Sequence, residues 1–159
     1  MKYALVILLP LATLFAPSAG AASRDIYDPK ADGGVLVDAA LVRARAEHKR
    51  VLLDFGANWC PWCHSLHRLF TTNPEVSAVL GASYVLVMVD VNTRGGVARN
   101  AGINARYGNP IRLGLPVLVV LDAEGRLLCT KDTGELEEGR GHSPAKVLAF
   151  LRQWSGHPR

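Results

Sequence analysis

Apolar and polar positions are distributed unevenly along the 159-residue chain. Tyr3 to Ala16 is an almost unbroken apolar run behind the positive Met1-Lys2, and small residues follow in Pro17-Ser18-Ala19-Gly20-Ala21-Ala22. That layout predicts a secretory signal peptide over residues 1–21, with Ala19 and Ala21 forming the A-x-A cleavage pattern. The alternative is an uncleaved anchor, although the run falls short of the ~20 residues that a bilayer span needs. The mature chain is accordingly expected to be periplasmic or secreted. Residues 22–37 are mostly polar, with Asp-Pro and Gly-Gly turn signals, and read as an extended lead-in to a domain over 38–159.

Within that domain the hydrophobic period changes from element to element. Asp38 is placed to cap a helix running to about His48, with Leu41, Val42 and Ala46 on one face. Val51 to Phe55 is an apolar strand interrupted by Asp54. The next helix opens at Cys60-Pro61, since proline suits a first turn, and Asn73-Pro74 restarts a shorter one to about Leu80. Tyr84 to Val91 is a strongly apolar, β-branched strand, which predicts a central position covered on both faces. Val97 to Tyr107 is read as a helix, Leu115 to Leu121 as a third strand, and Asp122 to Gly125 as a turn into a fourth, Arg126 to Lys131. Ser143 caps and Pro144 begins a last helix whose apolar set is Val147, Leu148, Phe150, Leu151 and Trp154. The order predicts one α/β domain, a mixed central β-sheet flanked by helices.

Charge narrows the function classes. The formal net charge is +4, and without Lys2 there are 17 basic against 14 acidic side chains. That balance is too mild and too evenly spread for nucleic acid. Arg94, Arg99, Arg106 and Arg112 share one segment, but no aromatic platform interleaves with them, so a solvated face is expected. The chain is read as a monomer. Of three cysteines, Cys129 lies in the strand-like run and reads as a small buried hydrophobe.

Candidate chemistry is concentrated in Trp59-Cys60-Pro61-Trp62-Cys63-His64, directly after the first strand. Two cysteines at this spacing can close a small disulfide ring. If the ring caps a helix, the helix's unpaired N–H groups favour a thiolate on Cys60. Cys60 is then the exposed, acidic nucleophile and Cys63 the protected thiol. The same letters spell C-x-x-C-H, the attachment signature of a c-type haem. A haem also requires a second axial ligand and a helical pocket, whereas Met88 lies inside an apolar strand. Cys60, Cys63, His64 and His67 could also be taken as a metal set, but three ligands crowded into one helical turn rarely reach a single tetrahedral ion. No metal and no other cofactor is expected.

With Asp54-Phe55, Trp59-Cys60-Pro61-Trp62-Cys63, Tyr107-Gly108 and Gly114-Leu115-Pro116-Val117 in place, the stretch from Asp38 to Trp154 resembles the thioredoxin family, specifically its exported single-domain members. The resemblance implies a thioredoxin-like fold and thiol–disulfide exchange with cysteine pairs of exported proteins. It implies a buried Asp54 beneath the disulfide, acting as base for the resolving thiol Cys63, and a cis Pro116 facing the cysteines. Leu115 would offer its backbone to substrate, and Trp59, Pro61 and Trp62 would form an apolar rim. A membrane-embedded thiol electron donor or acceptor is the implied partner. The chain departs from the pattern at Gly56, where thioredoxins often place tryptophan, and in the Pro61-Trp62 pair. It also lacks a lysine in the Tyr84–Val91 strand and carries Asn109-Pro110-Ile111 as an apparent insertion. A second function class is a non-catalytic binding or assembly module that keeps the fold.

Overall fold

Period-two alternation along β1 (Arg50–Gly56) sorts its side chains onto opposite faces of a sheet. Val51, Leu53 and Phe55 enter one apolar layer with Val37, Ala40, Leu41 and Ala44, while Leu52 enters a second with Leu66, Phe70, Val76, Val147 and Leu151. Asp54, two residues after Leu52, therefore points into the second side.

The computed structural model describes residues 25–156 apart from Val97. The signal peptide expected over residues 1–21 lies outside the described residues. The elements run α1 (Gly33–Glu47), β1, α2 (Pro61–Thr72), α3 (Pro74–Ser83), β2 (Tyr84–Asp90), α4 (Ala101–Arg106), β3 (Val117–Leu121), β4 (Leu127–Asp132), the short pair β5 (Glu137–Glu138) and β6 (Gly141–His142), and α5 (Pro144–Gln153). The main sheet has the order β2-β1-β3-β4. β1 runs parallel to β2 and antiparallel to β3, with Asp54 opposite Met88 on one side and Leu118 on the other. β3 and β4 form the expected antiparallel hairpin. Among the described residues no helix is long and apolar enough to cross a membrane.

Four expectations are corrected. The helix expected from Asp38 begins five residues earlier, because the Asp32 carboxylate accepts the N–H groups of Gly34 and Val35 at 2.8 and 3.1 Å. The Gly-Gly pair is thus a helix start, and Gly33 lies so close to Ile103 that a Cβ there would sit 3.0 Å from it. The buried face is Gly33, Val37, Ala40, Leu41 and Ala44, and Val42 is 62% exposed. β2 lies at the sheet edge rather than its centre. Its apolar content reflects α1 and α3 packing on it, and Leu86 and Met88 are only half-buried. The helix expected from Val97 starts at Ala101, after a turn with Gly95 and Gly96 at φ of 77° and 76°. Finally, Ser143 occupies the N-cap of α5 without a side-chain capping bond.

Candidate active site

Cys60 is the N-cap of α2 and Pro61 its first residue, so the helix starts at the cysteine pair. The Cys63 N–H donates to Cys60 Sγ at 3.1 Å, and the two sulfurs are bonded across a Cα separation of 5.3 Å. A sulfur in this position receives one of the helix's unpaired donors and the positive end of its dipole. The Leu115–Pro116 peptide is cis, and the Leu115 carbonyl oxygen lies 3.6 Å from Cys60 Sγ. Pro116 is buried, and its own carbonyl accepts the Thr133 hydroxyl.

Cys60, Cys63 and Tyr27 form an apolar cluster with Ile26, Trp62, Met88 and Leu115 packed against it. Cys60 is only 3% exposed, not the open thiol expected of a residue at the head of a helix. Its covering comes from this cluster and the Leu115 carbonyl. Cys63 is fully buried. Trp62 meets the His142 ring edge-on at 5.6 Å, while Pro61 faces solvent. Trp59 turns toward the loop after β2. Its Nε1 donates to Asn92 Oδ1 at 2.8 Å, and the Arg94 guanidinium stacks 3.8 Å from the ring centroid.

Asp54 has no solvent access, and its Oδ1 accepts the Tyr27 hydroxyl at 2.9 Å. Oδ2 has no hydrogen-bond partner among the described residues. Burial pushes the Asp54 carboxyl up to about 7, against the opposing pull of the Tyr27 hydrogen bond. Tyr27 stays protonated, held above its ordinary range first by burial and then by Asp54.

Sequence reasoning missed Tyr27. It comes from the lead-in, which Asn58 fastens to the active-site loop with three hydrogen bonds. Asn58 Oδ1 accepts the N–H groups of Ile26 and Tyr27, and its Nδ2 donates to the Tyr27 carbonyl, each at 2.9 Å. A Cβ on Gly56 would collide with the Tyr27 hydroxyl and lie 2.8 Å from Cys63 Sγ. Tyr27 thus fills the space left by the glycine. Two signals pointed to it, the Ile26-Tyr27 island in a polar segment and the missing large residue at 56.

His142, also missed, is 7% exposed, and neither ring nitrogen has a hydrogen-bond partner among the described residues. His64 Nε2 engages the Asn58 carbonyl at 2.8 Å. Cys129 is a half-buried free thiol that burial pushes up.

Residues 35–123 match the family described as thioredoxin-like. The protein named thiol:disulfide interchange protein DsbD from Ralstonia nicotianae is 34% identical over 147 residues, 91% of this chain and 21% of that protein. The chain therefore spans about a fifth of that relative's length. Among solved structures, a disulphide isomerase from Xylella fastidiosa Temecula1 superimposes with a TM-score of 0.71 at 33% identity, covering 80% of this chain and 95% of that one. The C-terminal domain of Neisseria meningitidis DsbD in its oxidised form shares the fold, with a TM-score of 0.55 at 21% identity over 78% of this chain and 97% of the other.

Proposed function

The chain belongs to the thioredoxin-like family and is a thiol–disulfide oxidoreductase domain, and from that premise we propose that it exchanges disulfides with cysteine pairs of exported proteins in the periplasm. The observation that carries this reading is the Cys63 N–H donating to Cys60 Sγ at the head of α2. A helix N-terminus contributes up to about 2 kcal/mol to a negative charge, enough to bring a thiol from ~8.5 to near 7.

In the reductive direction, the Cys60 thiolate attacks one sulfur of a substrate disulfide and the other substrate sulfur leaves as thiolate. Cys63, buried beneath, gives its proton to the Asp54 carboxylate and attacks Cys60 Sγ. The Cys60–substrate bond breaks, the second substrate thiolate leaves, and the Cys60–Cys63 bond forms. Two electrons pass from the protein to the substrate, and the oxidative direction is the reverse. The Leu115 backbone, beside Cys60 Sγ, suits pairing with an extended substrate segment next to Pro116. Trp59, Pro61 and Trp62 supply the apolar rim. The leader pattern of residues 1–21 and the DsbD relatives support a periplasmic setting with a membrane-embedded thiol partner.

Insulin reduction with dithiothreitol as electron source tests the activity. The protein should accelerate precipitation of the insulin B chain, and Cys60→Ser should return the rate to that of dithiothreitol alone. Equal rates for the native protein and Cys60→Ser would instead favour the non-catalytic assembly module. Equilibration of the Cys60–Cys63 pair against a glutathione series then reads the direction of exchange.

A further inference from the structure

We propose that Tyr27 is a positioning residue of the exchange reaction, its hydroxyl holding Asp54 as an aligned carboxylate ready to take the Cys63 proton. This role rests on Asp54 serving Cys63 as base and names the group that keeps the base in order. Tyr27 is 1% exposed and donates to Asp54 Oδ1, which leaves Oδ2 as the oxygen without a partner among the described residues. One point of space, the Cβ position that Gly56 lacks, collides with the Tyr27 hydroxyl and lies 2.8 Å from Cys63 Sγ. Tyrosine, carboxylate and resolving thiol thus converge under the disulfide. Asn58 binds the Tyr27 backbone on both sides, through its N–H and its carbonyl, so the ring enters in one orientation.

The groups around Asp54 let the hydroxyl matter. Its ladder neighbours, Met88 of β2 and Leu118 of β3, carry no charge. From α2 it faces the Cys60–Cys63 pair, and from the lead-in Tyr27, which itself feels Asp90 of β2. No lysine stands in β2 to neutralise the acid. A hydrogen bond donated to the charged form favours that form, so Tyr27 offsets part of the burial that drives Asp54 toward its neutral state. In the resolving step the proton moves from Cys63 Sγ to Asp54, the Cys63–Cys60 bond forms, and the bond from Cys60 to the substrate sulfur breaks. Without the hydroxyl the acid would remain protonated to higher pH, and a smaller ionised fraction would be ready to take that proton near neutrality.

Tyr27→Phe keeps the ring in its slot and deletes the donor. Release of substrate from a preformed mixed disulfide on Cys60, followed against pH, should have its midpoint raised by about one unit or more. It should be roughly tenfold slower below the midpoint and converge with the native protein above it. An unshifted profile, even with a uniform loss of rate, would reduce Tyr27 to packing and overturn the proposal. Carbon NMR of the reduced native protein needs no variant, because the Tyr27 Cζ shift should titrate with the same midpoint as the Asp54 carboxyl, and separate midpoints would also overturn it. In the kinetic assay Asp54→Asn should slow release. If it does not, the assignment of Asp54 as base fails, while the two NMR midpoints still judge the hold of Tyr27 on Asp54.

Discussion

Tyr27 occupies the volume that a side chain on Gly56 would need, with its hydroxyl inside the radius of a Cβ placed there. Gly56→Ala should therefore destabilise the fold by about 1–3 kcal/mol, the usual cost of overpacking. In a Tyr27→Ala background the same change should cost clearly less, and the difference is a coupling energy between neighbours. Urea denaturation of the four proteins reads it. Equal costs in both backgrounds would mean that the ring is not the obstacle.

Asp54 makes stability depend on pH in a defined direction. Its folded-state value, raised to about 7 by burial, lies above the ordinary 3.8 of an unfolded aspartate. The folded protein therefore binds this proton more tightly. The resulting stability is complete below about pH 3.8 and is lost as pH rises through about 7. Asp54→Asn, which cannot ionise, should gain on the native protein between pH 4 and pH 8, by up to about 4 kcal/mol if the whole shift is realised. Urea midpoints at the two pH values test it, and a constant difference would show that Asp54 does not titrate in that window.

Alkylation should rank the three thiols of the reduced protein. Cys60 alone has a backbone donor at a helix N-terminus, Cys63 is fully buried, and burial raises Cys129. Brief iodoacetamide treatment at pH 7, read by peptide mass spectrometry, should modify Cys60 at least about tenfold faster than Cys129. Faster modification of Cys63 or Cys129 would reverse the assignment of the nucleophile.

Replacing the buried sulfur should stop the cycle halfway. Cys63→Ser leaves Cys60 able to attack and removes the group that resolves the product, so a covalent complex with a disulfide-bearing protein should accumulate. The complex would appear on non-reducing gels and vanish on adding thiol. Cys60→Ser should give none.

What the sequence made legible follows from how local each signal is. The α2 start at Cys60-Pro61, the Asn73 cap and the β3–β4 hairpin each rest on a few adjacent residues, and the structure shows all three. Strand position is not local. The apolar run of β2 reports that helices cover its faces, not how many strands flank it, and it lies at the edge. The start of α1 was misplaced because Gly33-Gly34 reads as a turn until Ile103 and Asn100 are known to press against it. In the site, Cys60, Cys63, Trp62 and Leu115 lie together, as their motifs suggested. Tyr27 escaped because its partners, Asp54 and Asn58, are 27 and 31 residues away and the two-residue apolar island Ile26-Tyr27 is too short to set a period. β5 and β6, with two residues each, carry no alternation to read, and they brought His142 to Trp62 unannounced.

The Asn58 clamp sets a boundary for handling the polypeptide. Removing the leader expected over residues 1–21 leaves the residues of the three hydrogen bonds in place, whereas clipping one residue beyond Ile26 deletes the tyrosine and opens a hole beside Gly56 and the Cys63 sulfur. Trimming by a protease from that end would thus reach the reactive centre before it reached α1.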